Sequence, residues 1–444
     1  MSRTIVALAT PPGVSGLAVI RMSGDESFDI ISRCFVHKNK IDFTKTGRIY
    51  YGKIVDNDSV IDSVTISVFK SPKSYTGEDS IELGCHGNSI LAYSIVDILV
   101  KNGATYAEPG EFTKRAFLNG KIDLIQAEAI ADLIHSVNVA GITTATKQLE
   151  GKFTDRLKIM RQKLLDISSL LELELDFADE GLDLIQKSRI ENEINEAIDF
   201  CSGLIAGYVS AEAGRNGYYV AIAGYPNSGK STLFNALADK DRAIVSDQAG
   251  TTRDYLEETI YIDGIKIIVA DTAGIRDTDD TIEIQGIRMV ESVIKKAHLI
   301  IVLNDITVSS GNSDNLYNTF KNKYSDKEIL LVQNKADLIK VDNIYSISAK
   351  YGEGIMVLRA IIAEKAVNSI SLLNDLMVNS RHLQLLLTAK EHLENAQSAV
   401  KNDYENEIIA IDLRKSTGIL GEITGESWNE EVLANIFSRF CIGK

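Results

Sequence analysis

Only four cysteines occur in 444 residues, and Cys34, Cys85, Cys201 and Cys441 stand far apart. That spacing forms neither a disulfide framework nor a zinc cluster, and it suits a reducing compartment. Proline is also scarce: Pro11, Pro12, Pro72, Pro109 and Pro226 are all there is. Beyond Pro226 nothing of that kind interrupts a long helix. No apolar run approaches the roughly 20 residues that cross a bilayer. The opening Met1–Ala7 lacks the basic stretch and cleavage site of a secretory leader. The expected location is therefore the cytoplasm, with no membrane partner. Positive charge is in deficit: 47 Lys and Arg against 62 Asp and Glu give a net charge of −15. This argues against broad, sequence-independent nucleic-acid binding and leaves room for a local basic patch or a basic partner. No repeat or low-complexity segment is visible. The length suits two to four domains with sizeable cores.

What is present starts with Gly224-Tyr225-Pro226-Asn227-Ser228-Gly229-Lys230-Ser231. This is a phosphate-binding loop, G-x-x-x-x-G-K-[ST], between the apolar run Tyr218–Ala223 and the helix-forming Thr232–Leu237. Backbone amides at a helix start cradle phosphate oxygens, and the helix dipole favours their charge. Lys230 is expected to reach the β- and γ-phosphates, and Ser231 to hold Mg²⁺. Asp271-Thr272-Ala273-Gly274 closes the apolar strand Ile265–Ala270 and suits the metal's water shell and the γ-phosphate. Thr252, within Gly250-Thr251-Thr252-Arg253-Asp254, is placed to complete the Mg²⁺ shell. Asn334-Lys335-Ala336-Asp337 follows the strand Ile329–Val332. The Asp337 carboxylate matches the N1–H and exocyclic amine of guanine, a donor pair that adenine lacks, so GTP is expected rather than ATP. Ser348-Ala349-Lys350 would back the base with a main-chain N–H. Together these motifs resemble a Ras-like GTPase domain. The residue after Gly274 is Ile275, where Ras-type proteins carry a water-orienting Gln. An apolar side chain cannot orient water. Glu283 lies downstream in Asp277–Gly286 and is either that missing group or a solvated carboxylate near a helix start.

Residues 1 to about 118 alternate β-rich runs, such as Gly16–Arg21, Gly47–Ile54 and Val64–Phe69, with turn signals. From Leu118 to about Ala213 the pattern turns helical. Leu157, Met160, Leu164, Ile167 and Leu171 form an apolar seam at 3-4-3-4 spacing. The same spacing returns at Leu386, Ala389, Leu393, Ala396 and Val400. Either one helical domain holds the nucleotide domain as an insert, or two helical domains flank it.

Further phrases are Ala9-Thr10-Pro11-Pro12-Gly13, Tyr75-Thr76-Gly77-Glu78-Asp79, Cys85-His86-Gly87-Asn88, Ala107–Thr113, Phe117–Asp123 and Phe440-Cys441-Ile442-Gly443-Lys444. With the nucleotide motifs, the whole chain resembles the MnmE (TrmE) family of tRNA-modification GTPases. The resemblance implies a multidomain α/β plus α fold. Residues 1–118 would be an N-terminal α/β domain that binds tetrahydrofolate and dimerises. Residues 119–214 and 376–444 would form one helical domain, the second part ending in the Cys-x-Gly-Lys motif. Residues 215–375 would be the inserted Ras-like P-loop GTPase domain.

The family acts as a homodimer with the flavoprotein MnmG (GidA), in a heterotetramer. It adds an aminomethyl or carboxymethylaminomethyl group to C5 of the wobble uridine of certain tRNAs. The one-carbon donor is 5-formyl- or 5,10-methylene-tetrahydrofolate, and GTP, Mg²⁺ and K⁺ serve the GTPase. Its GTP site matches Asn227, Ser228, Gly229, Lys230, Ser231 and Thr232, then Ser246, Asp247, Gln248, Ala249, Gly250, Thr251 and Thr252. It also matches Asp271, Thr272, Ala273, Gly274, Asn334, Lys335, Asp337, Ser348, Ala349 and Lys350. The Mg²⁺ ligands match Ser231 and Thr252; the K⁺ ligands match Asn227, Ser246, Gln248 and Thr251. The family's catalytic glutamate matches Glu283. Its folate site matches Arg21, Glu78, Lys121 and Lys444, cations for a glutamate tail and a carboxylate for the pterin edge. Cys441 matches the motif cysteine. Tyr225 stands where many members have Arg.

Three other readings compete. A ribosome-assembly switch of the Era or Der type explains the nucleotide motifs but not the N-terminal phrases. A self-assembling dynamin- or septin-like GTPase would call for a basic amphipathic helix, and none is seen. A stand-alone one-carbon transferase would need its redox step from elsewhere, since no G-x-G-x-x-G flavin fingerprint exists.

Overall fold

A computed structural model describes residues 3–57, 59–137, 139–177, 186–238, 256–271, 291–308, 311–325, 327–339, 345–371 and 378–444. The chain forms two compact units. One comprises Met1–Ala131, Leu149–Ile194 and Glu391–Lys444; the other comprises Asp132–Gln148 and Asn195–Lys390.

The first unit holds a seven-stranded sheet of β1 (Ile5–Leu8), β2 (Ser15–Ser23), β3 (Phe35–Val36), β4 (Arg48–Asp56), β5 (Ser59–Phe69), β6 (Ser80–Gly87) and β7 (Thr105–Tyr106). Their order is β3-β4-β5-β6-β2-β1-β7. All pairs are antiparallel except β1 with β7. Antiparallel strands can bury one face only, and β2 shows the resulting period of two. Ala18, Ile20 and Met22 are buried, whereas Leu17 is exposed and Arg21 half-buried. Helices Ser27–Cys34 and Ser89–Lys101 cover the apolar face through Ile30, Ile31, Ile95, Ile98 and Leu99. The second helix starts where Asn88 accepts from the amides of Ile90 (2.9 Å) and Leu91 (3.2 Å), two donors with no partner inside the helix.

The helical part of this unit is built on two long helices, Lys152–Asp176 and Asn406–Thr424, packed along each other. Leu157, Leu164, Ile167 and Leu171 of the expected seam are buried. Arg161 ties the pair, its Nε donating to Thr417 O (3.0 Å) and its Nη1 to Glu426 (2.5 Å). Of the second expected seam, Leu393, Ala396 and Val400 are buried in this unit, and Leu386 and Ala389 are buried in the second.

The second unit contains a six-stranded sheet of β8 (Tyr218–Gly224), β9 (Leu256–Ile262), β10 (Ile265–Asp271), β11 (Leu299–Asp305), β12 (Glu328–Asn334) and β13 (Ser346–Ile347). The order is β13-β12-β11-β8-β10-β9, parallel except for the β9–β10 hairpin. Parallel strands covered on both faces read as continuous apolar runs, and Tyr218–Ala223 is buried throughout. One face packs Val220 and Ile222 against helices Lys230–Ala238 and Ile355–Ser371. The other packs Tyr219, Ala221, Ile300 and Val302 against Val293 and Ile294. Buried Arg359 donates to Leu237 O (2.7 Å) and Tyr261 O (3.3 Å), closing the end of the Lys230–Ala238 helix. The α/β sheet units and the helical layer are the fold class the sequence implies. No helix among the described residues is long and apolar enough to cross a membrane.

Candidate functional site

The parallel strands of the second unit all end on the same edge. β8 ends at Gly224, β10 at Asp271, β11 at Asp305, β12 at Asn334 and β13 at Ile347. After β8 the chain builds β9 and β10 on one side, then crosses to β11 on the other. Such a reversal opens a crevice beyond the strand ends, where ligands of α/β sheets bind. The loop Gly224–Ser231 lies at this point. Two of its residues have left-handed backbone, Asn227 (φ 64°) and Gly229 (φ 95°), which turn it tightly into the helix.

Asn334 joins the two halves of the site. It is 3% exposed; its Nδ2 donates to Ser228 O (2.8 Å) and its Oδ1 accepts from the Ala349 amide (3.0 Å). One side chain therefore fixes the phosphate loop relative to the Ser348-Ala349-Lys350 loop. On that loop, Ser348 donates its hydroxyl to Asp337 Oδ1 at 2.6 Å, aiming an exposed carboxylate. Lys335 sits at φ 69° and reaches back to Asp305 Oδ2 at 2.5 Å. Lys230 is buried, with Nζ donating to Gly224 O (3.1 Å) and Tyr225 O (2.9 Å). Ser228 is buried too, and its Oγ has no hydrogen-bond partner among the described residues. A phosphate oxygen beside the loop would supply one. Ser231 and Thr232 are exposed at the helix start, and Asp271 is buried at the end of the neighbouring strand. Lys350 is exposed, its Nζ 4.9 Å from the centre of the Tyr351 ring.

The expected site residues Ser246, Asp247, Gln248, Ala249, Gly250, Thr251, Thr252, Thr272, Ala273, Gly274 and Glu283 lie outside the described residues.

In the first unit, Arg21 and the Cys441–Lys444 segment meet. Arg21 Nη2 donates to Glu82 Oε1 (2.8 Å) and Nη1 to Gly443 O (3.4 Å). Its guanidinium lies 5.1 Å from the Tyr75 ring centre and 5.8 Å from that of Phe112. The Lys444 carbonyl accepts from the Phe112 amide (3.3 Å). Burial first, and then the Arg21 guanidinium, hold the Lys444 ammonium below the usual lysine range, with Glu82 opposing. Cys441 is exposed. Gly443 (φ 98°) passes so close to β1 that a Cβ would meet Leu8 O at 2.5 Å.

Glu78 belongs to a separate buried network. It accepts from Arg115 Nη1 (3.2 and 3.0 Å) and from the Ser23 hydroxyl (2.8 Å). Lys121 donates to Pro72 O (3.1 Å) and lies beside Gly77. The structure thus groups Arg21 with Lys444, and Glu78 with Arg115. Glu82, Arg115 and Asp305 were not singled out by sequence. Each is an ordinary charged residue until strand register or helix packing delivers its partner; Glu82, for one, lies directly across from Arg21 in the β2–β6 register.

Comparison with known proteins identifies the family. Residues 4–121 match the family described as GTP-binding protein TrmE N-terminus, and residues 124–441 match the MnmE helical domain. The tRNA modification GTPase MnmE of Christiangramia forsetii is 38% identical, with 100% of each chain covered. That of Flavobacterium johnsoniae is 40% identical, with 99% of each covered. That of Acetivibrio thermocellus is 37% identical, again with 99% of each covered. The chain belongs to the MnmE family of tRNA modification GTPases.

Proposed function

We propose that this GTPase works as a homodimer with the flavoprotein MnmG, installing an aminomethyl-type group on C5 of the wobble uridine of tRNA. GTP is held through Gly224–Ser231 at its phosphates and Asp337 at its base. The observation that carries this reading is Asn334, whose two short hydrogen bonds fix those elements relative to each other. Lys230 transfers its hydrogen bonds from the loop carbonyls to the β- and γ-phosphates. Ser231 and Thr252 would hold Mg²⁺, and Asn227, Ser246, Gln248 and Thr251 would hold K⁺, ions that would supply positive charge where negative charge develops during hydrolysis. Glu283 positions the attacking water, the task for which Ile275 is unsuited.

The folate one-carbon donor is assigned to the first unit. Burial and the neighbouring Arg21 guanidinium hold the Lys444 ammonium below the usual lysine range, and Glu82 opposes them. Such a pair of cations draws an anion such as a glutamate tail. Tyr75 and Phe112 beside Arg21 offer aromatic surface for a ring. Glu78 and Lys121 flank the same loop, and Cys441 stands exposed near Lys444.

GTP hydrolysis should be faster in KCl than in NaCl at equal ionic strength, and Glu283→Ala should abolish the difference. Equal slow rates in both salts would favour an activator-dependent switch of the Era or Der type. Folate binding, absent from such switches, separates the readings a second time. Arg21→Ala should weaken it.

A further inference from the structure

β11 and β12 run in parallel with Asp305 directly opposite Asn334. The Ile306 amide donates to Asn334 O (3.1 Å), so the two strand ends are locked in step. One oxygen of Asp305 is consumed by its own turn: Oδ1 accepts from the Thr307 amide (3.0 Å) and hydroxyl (2.6 Å). The other, Oδ2, accepts from Lys335 Nζ at 2.5 Å. The side chains are 13% and 33% exposed respectively, so this is not a solvated surface pair. Burial would raise the Asp305 pKa, but hydrogen bonds from Lys335 and Thr307 outweigh it and hold the group below the usual carboxylate range.

Lys335 carries a long, rotamer-rich stem on a left-handed backbone (φ 69°), between Asn334 and the base-reading Asp337. With its ammonium held at β11, that stem becomes a fixed apolar strip next to the place where a purine lies. Released, it must be ordered anew at each binding event, and that ordering weakens binding. We infer that Asp305 is a positioning residue for the guanine nucleotide, acting through Lys335 to pre-set the wall of the base pocket. This rests on the reading of Asn334-Lys335-Ala336-Asp337 as a guanine site.

The test is binding of a fluorescent GDP analogue, with steady-state GTP hydrolysis, on the full chain. Asp305→Ala should weaken GDP roughly tenfold, within the range for losing one pre-ordered side chain. KM for GTP should rise while kcat at saturation stays within about twofold. Asp305→Asn, whose single carbonyl oxygen can keep the Thr307 turn while its amide nitrogen faces the Lys335 ammonium, should weaken GDP as Asp305→Ala does. In a Lys335→Ala background, Asp305→Ala should cost nothing further. A fall in thermal stability with unchanged KM, or additive effects of the two substitutions, would overturn the inference. Should Asp305→Ala not fold, the Asn variant alone and in the Lys335→Ala background decides the same question. Asp337→Asn runs alongside. If it too leaves guanine binding intact, the base-site reading fails; if it alone weakens binding, only the role of Asp305 fails.

Discussion

Gly229→Ala should weaken guanine-nucleotide binding by at least about a hundredfold. An added Cβ would stand 2.3 Å from Asn334 Nδ2, and Gly229 is at φ 95°, where a residue with a Cβ is strained by about 1–2 kcal/mol. The Asn334 side chain cannot yield without loss. It is buried and holds Ser228 O and the Ala349 amide. Displacing it leaves two buried backbone groups without their partner, at about 1–3 kcal/mol each. A hundredfold corresponds to about 2.8 kcal/mol, which these costs exceed. The damage should be confined to the nucleotide site, because neither the apolar run of β8 nor the Leu233 and Leu237 packing depends on position 229. Titration with a fluorescent GDP analogue, beside circular dichroism to confirm the fold, checks this. An affinity within threefold of the parent would show that the loop accommodates a methyl group.

Arg115→Met should destabilise the first unit by about 3 kcal/mol, at the low end for removing one partner of a buried ion pair. Arg115 is 8% exposed. It donates to both oxygens of Glu78, to Glu111 Oε1 (2.8 Å) and to Arg3 O (2.9 Å). Methionine keeps the length of the stem and abandons two poorly solvated carboxylates. The sole tryptophan, Trp428, lies in this unit edge-on to Phe117 at 6.2 Å, so urea unfolding followed by its fluorescence reads the unit directly. The effect should depend on pH with a defined sign. Burial raises the Glu111 pKa, but the Glu108 amide, Arg115 and Arg3 outweigh it and leave the group below the usual glutamate range. A carboxylate depressed in the folded state adds stability above its unfolded pKa and loses it as pH falls through the folded one. The gap between parent and variant should therefore narrow as pH drops below the ordinary glutamate value. A gap constant from neutrality down to pH ~3 would assign the loss to packing instead.

Much of the architecture was legible in the sequence because it depends on short-range periodicity. The Leu157–Leu171 seam buries four of its five members, with Met160 half-buried, since 3-4 spacing puts them on one helix face whatever the neighbour is. β2 alternates as expected because successive side chains point to opposite faces. The run Tyr218–Ala223 offered no such alternation, and the structure shows why: it is a central parallel strand, covered on both sides.

The sequence by itself determined the phosphate-loop motif, the Asn334–Asp337 motif and the helix and strand faces. Each is a property of contiguous residues, through backbone geometry or a fixed repeat. Only the tertiary structure decided which charges meet. Arg21 and the Gly443 carbonyl are separated by 422 positions, Arg115 and Glu78 by 37, Lys335 and Asp305 by 30. No local rule links such pairs; strand order and register do. A one-residue slip of β6 against β2 would put Glu82 on the far face from Arg21, and the cationic pair of Arg21 and Lys444 would lose the counter-charge of Glu82.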